Sequence, residues 1–324
     1  MRPDPVITTP DAGNPEPASA THDSRPEIVW TNAAIRPIAT THDCRARLRE
    51  LTVAQGSGAF ADRTFAIDEC CECGLGVTRP IPTEDTAYLL YQTRQSTDFQ
   101  PGDSRLVWRL KAFAARRDVR AFCRGVEIRG DARMLDFGSG NGAFVEAMQD
   151  VFPRARVMGT DRHLSPPAAI RPGQYVSYRR LDELRGQCSF VLCRHVLEHA
   201  YDPAKMLGQV RDLLEPGGVV ALEVPSLETK VKFIFGRFWD GYYVPYHPLH
   251  FTRRSLRVVV ETAGFSVIRE GNAEMPKMGR SLQNVLGTKY GLGLFAVGMA
   301  LQPLQIGVGL VTGTSVCLRI WGRK

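Results

Sequence analysis

Hydrophobic and polar positions change their period several times along this chain. From Asp103 to Val126, Leu106, Trp108, Leu110, Phe113, Val119 and Phe122 recur at helical spacing, which predicts one amphipathic helix. Beyond it, short apolar runs predict strands over Arg133–Asp136, Ala155–Thr160, Ser189–Cys193, Val219–Val224 and Phe265–Arg269. Between them, helical periods cover Ala143–Val151, Pro203–Leu214 and Arg254–Ala263. This alternation predicts an α/β domain over residues 101–324, a parallel sheet with helices on both faces. Ligands in such sheets bind outside the carboxyl ends of the strands. Residues 1–38 are rich in Pro, Thr, Asp and Ala without periodicity and read as a disordered leader. Residues 39–100 form a small cysteine-bearing unit and a linker.

Composition narrows the classes. The net charge of +7 permits an anionic or membrane-surface partner. Its basic residues are scattered, however, and no aromatic-interleaved basic stripe argues for nucleic acid. The eight cysteines do not form a disulfide-like framework, which favours a reducing, cytoplasmic setting. No apolar core follows the first basic residue, so no signal peptide is expected.

Met134-Leu-Asp-Phe-Gly-Ser-Gly-Asn-Gly142 carries the strongest chemical signal. A strand ends in an acid, and glycines at alternate positions then open onto a helix. Such a loop turns sharply and lets a ligand come close to the backbone. Asp161 ends the next strand, where a carboxylate suits a ribose diol. The spacing D-x-G-x-G-x-G differs from the G-x-G-x-x-G of nicotinamide and flavin enzymes. It resembles motif I of the class I S-adenosylmethionine methyltransferases.

Later segments extend that resemblance over about residues 103–324. Arg194-His-Val-Leu-Glu-His-Ala-Tyr-Asp-Pro203 is similar to the segment after the fourth strand of small-molecule members, including quinone O-methyltransferases. An acid usual near the start of that strand is replaced by Ser189. His195 falls where the family's active-site floor begins, while Glu198 and His199 read as structural. Leu213-Leu-Glu-Pro-Gly-Gly matches the family's turn into the fifth strand, with Gly217 taking the positive φ of a type II turn. His247-Pro-Leu-His250-Phe-Thr resembles a subgroup found beside glycan and natural-product pathways. Either histidine there suits a general base near neutral pH. The spacing His247-x-x-His250 also raises a metal, but no acid or cysteine follows at ligand spacing.

Cys70-x-x-Cys73-Gly74 resembles the second knuckle of a zinc ribbon carried by many relatives with this core. Cys44 is the upstream candidate, and Arg47 occupies the position of its partner. Only His42, Cys44 or Cys71 is available to complete four ligands, so the expectation is a weakened or lost zinc site. Residues 291–318 carry no formal charge. Their last third reads as the final strand. The remainder reads as an apolar helical insertion near 279–310 that roofs the substrate side or touches a membrane surface around 290–310.

The resemblance implies a seven-stranded Rossmann-like methyltransferase sheet and S-adenosylmethionine as cofactor. Asp136 would orient the loop, and Gly138, Gly140 and Gly142 would admit the methionine portion. Asp161 would hold the ribose, with Leu181 and Asp182 near adenine. The methyl group would pass to a small-molecule, glycan or lipid-linked acceptor, oxygen first, with His195, His247 or His250 as base. The rival reading is a non-catalytic module that binds S-adenosylmethionine or a nucleotide and acts through protein or membrane contacts.

Overall fold

The structure, a computed structural model, describes residues 27–32, 44, 48–92, 105–162, 170, 171 and 173–324. The predicted leader falls almost wholly outside them. The N-terminal unit begins with β1 (Trp30–Thr31) and β2 (Leu48–Gln55), and continues through β3 (Thr64–Cys70), β4 (Gly76–Arg79), β5 (Ile81–Pro82) and helix α1 (Tyr88–Gln92). Strand β1 pairs antiparallel with β5, while β2, β3 and β4 form a meander. Alternating burial along β3 puts Phe65 and Ile67 into an aromatic cluster with Phe60, Trp239 and Tyr246.

Helix α2 (Arg105–Cys123) leads into the main domain. Its Val119 and Phe122 are fully buried, but Leu110 and Phe113 face outward, contrary to the predicted stripe. Then follow β6 (Arg133–Phe137), α3 (Ala143–Val151), β7 (Arg156–Thr160), β8 (Cys188–Arg194), α4 (Pro203–Leu213) and β9 (Leu214–Pro225). Strands β6 and β8 are buried nearly throughout, as expected when helices cover both faces. Asp202 caps α4 by accepting from the Lys205 amide at 2.9 Å, and Pro203 sits in its first turn.

The chain next passes through α5 (Lys232–Phe235) and β10 (Leu249–His250) to α6 (Arg253–Thr262) and β11 (Ser266–Ala273). Thr252 and Ser255 form a reciprocal capping box at the start of α6. Helix α6 buries Leu256, Val259 and Val260 against the sheet, about 1.5–3 kcal/mol for each side chain. Helices α7 (Met278–Leu286), α8 (Leu292–Ala300) and α9 (Gln302–Thr312) precede the last strand, β12 (Cys317–Arg323).

The main sheet has six strands in the order β11-β12-β9-β8-β6-β7, with β12 antiparallel to both neighbours. Where the expected seventh strand would lie beside β7, the described residues give one parallel bridge between Gly159 and Tyr175.

Two features place the site. First, β10 pairs with β4, Leu249 against Val77 and His250 against Gly76, so the loop after β9 completes the N-terminal four-stranded sheet. A Cβ on Gly76 would lie 2.8 Å from His250 Cβ, so the two strands meet only because position 76 is glycine. Second, α7–α9 lie between β11 and β12. Gly279 and Gly298 let α7 and α8 touch backbone to backbone. Buried Gln305 donates to Glu274 at 2.7 Å and to the Met275 carbonyl at 2.9 Å, which ties down α9. Residues 292–312 are long and apolar enough to cross a membrane by length and composition alone. Leu292, Met299, Leu304, Leu310 and Val311 point outward.

Candidate active site

The glycine loop between β6 and α3 has three left-handed positions with different reasons. Gly138 has φ +83° and a Cβ there would overlap Val196 Cγ2. Gly142 has φ +84° and a Cβ would overlap Ile170 Cγ1. Gly140, at φ +51°, faces open space, with nothing within 4 Å of a built Cβ. Of the three, only position 140 would hold a side chain without meeting another protein atom. Asp161, at the end of β7, accepts from the Gly140 amide at 2.8 Å. The predicted ribose acid and the middle glycine of the loop are thus side by side.

Asp136 lies buried at the end of β6. Burial pushes its carboxyl up to about 7; Arg194 pulls it down and the nearby Asp161 carboxylate pushes it up. Leu181 is packed in the core. Asp182 is exposed and paired with Arg185 at 2.9 Å. Those are the surroundings of a packing residue and a surface ion pair. Ser189, in place of the family's acid, donates to the Arg133 carbonyl at 3.2 Å.

Beyond the end of β8 lies a second polar group. His195 has φ +53°, a region a non-glycine residue seldom adopts, and its amide donates to the Glu223 carbonyl at 2.8 Å. Its Nδ1 is 3.2 Å from Glu198 Oε1. Its Nε2 is 3.2 Å from Glu223 Oε1, an ion-pair contact without hydrogen-bond alignment. Burial opposes charge on His195, but the two carboxylates outweigh it and raise its pKa. Glu223 is also held by Arg194 at 2.7 Å and Arg319 at 2.5 Å. Against its burial, these cations and His195 keep it well below the usual carboxylate range.

His247 faces this group from the loop after β9. Its Nε2 is 3.9 Å from Glu198 Oε1, and its ring lies 4.8 Å from that of His199. Burial, aided by His199, His250, Lys277 and His195, holds His247 well below the ordinary histidine value. Glu198 and His199, which the sequence reads as structural, are instead members of this group. His250 belongs elsewhere. Its Nε2 is 2.8 Å from Thr78 Oγ1 in the N-terminal sheet, and burial with Lys232 lowers its pKa to about 3. Of the predicted bases, the structure brings His195 and His247 together and turns His250 away.

The N-terminal unit supplies a wall of the same site. Tyr91 Oη of α1 is 3.1 Å from His199 Nδ1, Thr78 donates to the His247 carbonyl at 2.7 Å, and Tyr201 donates to the Pro82 carbonyl at 2.8 Å. Sequence reasoning missed Thr78 and Tyr91, because nothing local in their segments marks a partner so far along the chain.

Cys44, Cys70 and Cys73 converge in the core, their sulfurs within 4.8 Å of one another. Cys44 and Cys73 Sγ are 3.6 Å apart. These neighbours, together with burial, raise the Cys44 thiol far above its ordinary value. Cys71 is exposed, while His42 and Arg47 lie outside the described residues. Three soft donors fit zinc, and among the described residues no fourth thiol or imidazole joins them.

A family model described as Methyltransferase domain matches residues 108–270. The ubiquinone biosynthesis O-methyltransferase of Pseudomonas aeruginosa (strain UCBPP-PA14) is 36% identical over 109 residues, covering 30% of this chain and 46% of that protein. A probable S-adenosylmethionine-dependent methyltransferase of Mycolicibacterium smegmatis is 29% identical over 140 residues, covering 41% and 52%. The chain thus spans about half the length of the curated relatives it matches. Among solved structures, the Burkholderia thailandensis 1,6-didemethyltoxoflavin-N1-methyltransferase is 19% identical with a TM-score of 0.47, covering 84% of this chain and 99% of that one.

Proposed function

Because this chain belongs to the methyltransferase-domain family, whose model spans residues 108–270, we propose that it transfers the methyl group of S-adenosylmethionine to an oxygen of a small-molecule acceptor. The observation that carries the reading is the open space at Gly140, whose amide donates to Asp161 at the end of β7. The bound sulfonium supplies an already reactive methyl group, so the protein's part is placement and exclusion of water. Gly140 admits the methionine portion, Asp161 holds the ribose hydroxyls, and Asp136 supports the loop from beneath. The acceptor lies between this loop and the His195–Glu198–His247 group, which promotes loss of its proton. Oxygen as the methylated atom agrees with the name of the Pseudomonas relative.

The surroundings favour a hydrophobic or lipid-linked acceptor over a free polar metabolite. Helices α7–α9 offer outward apolar side chains, and α5 adds exposed Phe233 and Ile234, with the Lys230 and Lys232 ammonium groups 5.6 and 5.5 Å from the Phe233 ring. Such an apolar face with a basic rim suits peripheral contact with an anionic membrane surface of a cytoplasmic protein.

Mass spectrometry on the purified protein, S-adenosylmethionine and a panel of phenolic and lipid-linked alcohols tests the reaction. One added methyl group on an acceptor oxygen is expected. Cofactor binding by calorimetry without transfer to any acceptor would favour the non-catalytic module. Flotation with anionic vesicles tests the surface, and protein left wholly in the soluble fraction would remove membrane contact.

A further inference from the structure

Glu198, His199 and His247 bring one carboxylate and two imidazoles to a single point, their donor atoms within 4.8 Å of one another. Glu198 is 1% exposed and His247 6%. The carboxylate is anchored through Oε1 by His195 Nδ1 at 3.2 Å, while Oε2 is sealed from solvent without a hydrogen-bond partner. His247 Nδ1 is likewise buried and unpartnered, and its Nε2 stands 3.9 Å from Glu198 Oε1, beyond hydrogen-bond reach. His199 Nδ1 lies 2.7 Å from the Tyr246 carbonyl. A carbonyl only accepts, so Nδ1 carries the proton and the neutral ring keeps its lone pair on Nε2.

Buried polar atoms without partners are costly and uncommon. Here two of them, Glu198 Oε2 and His247 Nδ1, belong to side chains of one cluster, both of metal-ligand types. We propose that Glu198, His199 and His247 bind a divalent first-row transition cation in a two-histidine, one-carboxylate site. That donor set suits zinc and its neighbours and leaves a coordination position for another oxygen. His195 and the Tyr246 carbonyl orient two of the three ligands from outside, as partners of metal-bound carboxylates and histidines do. The group is next to the cofactor loop, since Val196, between His195 and Leu197, packs on Gly138.

The cation's role rests on the methyl-transfer reading; its binding does not. An acceptor hydroxyl oxygen takes the open position and loses its proton to water. Its lone pair forms the new O–CH3 bond as the S–CH3 bond breaks, and that electron pair stays on sulfur, leaving a neutral thioether. His195 and Tyr246 are positioning residues in this scheme.

Cobalt(II) titration of the full-length, chelator-treated protein tests the site, because cobalt reports its ligands. Nitrogen and oxygen ligation gives weak visible bands, whereas binding at the cysteine cluster gives intense thiolate charge-transfer bands. One cobalt with the nitrogen–oxygen spectrum is expected per chain, with affinity falling at least about tenfold in His247→Ala and His199→Ala. Should His247→Ala lose its near-ultraviolet circular dichroism, His199→Gln provides the second reading. A thiolate spectrum alone, or undiminished cobalt affinity in the folded histidine variants, overturns the proposal. Cobalt is read without cofactor or acceptor, so the site stands if methyl transfer fails. Undiminished transfer by protein that binds no cobalt removes the cation and leaves the transferase reading intact.

Discussion

Gly138 and Val196 are interlocked: the valine methyl occupies the space that any side chain at position 138 would need. Through this contact the glycine loop sets the position of the segment carrying His195, Glu198 and His199. Gly138→Ala should therefore destabilise the fold by about 1–3 kcal/mol, from overpacking and a positive φ together. Gly140→Ala meets no neighbour and should cost about 1 kcal/mol or less in stability while weakening cofactor binding. Denaturant unfolding and calorimetric titration of both variants measure the contrast; equal stability losses would contradict it.

Asp161→Ala should weaken S-adenosylmethionine binding by about 1.5–3 kcal/mol, through loss of charge-assisted bonds to the ribose. The carboxylate also accepts from the Gly140 amide, so part of the loss will reflect a looser loop. Asp161→Asn keeps an acceptor for that amide and should bind between the two. Unchanged affinity in Asp161→Ala would remove the ribose assignment.

His247→Ala should retain cofactor affinity and lose about 10²–10⁴ in turnover. His250→Ala should show the reverse: near-normal turnover per folded molecule with reduced stability, because its bond to Thr78 holds β10 on the N-terminal sheet. Single-turnover rates and thermal unfolding separate these outcomes. Loss of turnover in His250→Ala at full stability would return it to the chemistry.

Much of this was legible in the sequence. Helix α3 runs from Ala143 to Val151 as its periodicity predicts, and the other core elements differ mainly at their ends. The glycine loop and Asp161 were readable because the chemistry is local: a tight turn and the residue ending a strand. The histidine group was not. His247-x-x-His250 shows no ligand-spaced acid, yet Glu198 and His199 reach His247 from some fifty residues upstream along the chain, and such pairing follows from topology. The outward Leu110 and Phe113 of α2 match the helical period but not the buried face. Periodicity predicts a stripe and cannot say what covers it.

Stability should fall with rising pH in a window set by Asp136. Its folded pKa, about 7, lies above its ordinary 3.8, so the folded state holds that proton more tightly. Its contribution is then fully present below about pH 4 and is lost as pH rises to about 7, by about 1.4 kcal/mol per pH unit. Asp136→Asn cannot titrate and should be flat over the same window by comparison. Urea unfolding of both proteins across it measures the difference. Parallel curves would mean that Asp136 ionises normally.

The cysteine cluster should hold zinc weakly. Elemental analysis of purified protein should find less than one zinc bound through sulfur per chain, by X-ray absorption, and that fraction should disappear in Cys73→Ser. Full sulfur-ligated occupancy would mean that a residue outside the described ones completes the site. Under native conditions a thiol reagent should label Cys71 first, because it alone of the eight cysteines is exposed.

The insertion leaves the sheet after Ala273 and returns at Cys317, and those two residues are paired across β11 and β12. The helical excursion from Glu274 to Val316 thus hangs from a stem only one residue pair wide. A short turn joining Ala273 to Cys317 would preserve every later pairing of the two strands. The cap can consequently be lengthened, trimmed or exchanged without changing the register of the two strands from which it hangs.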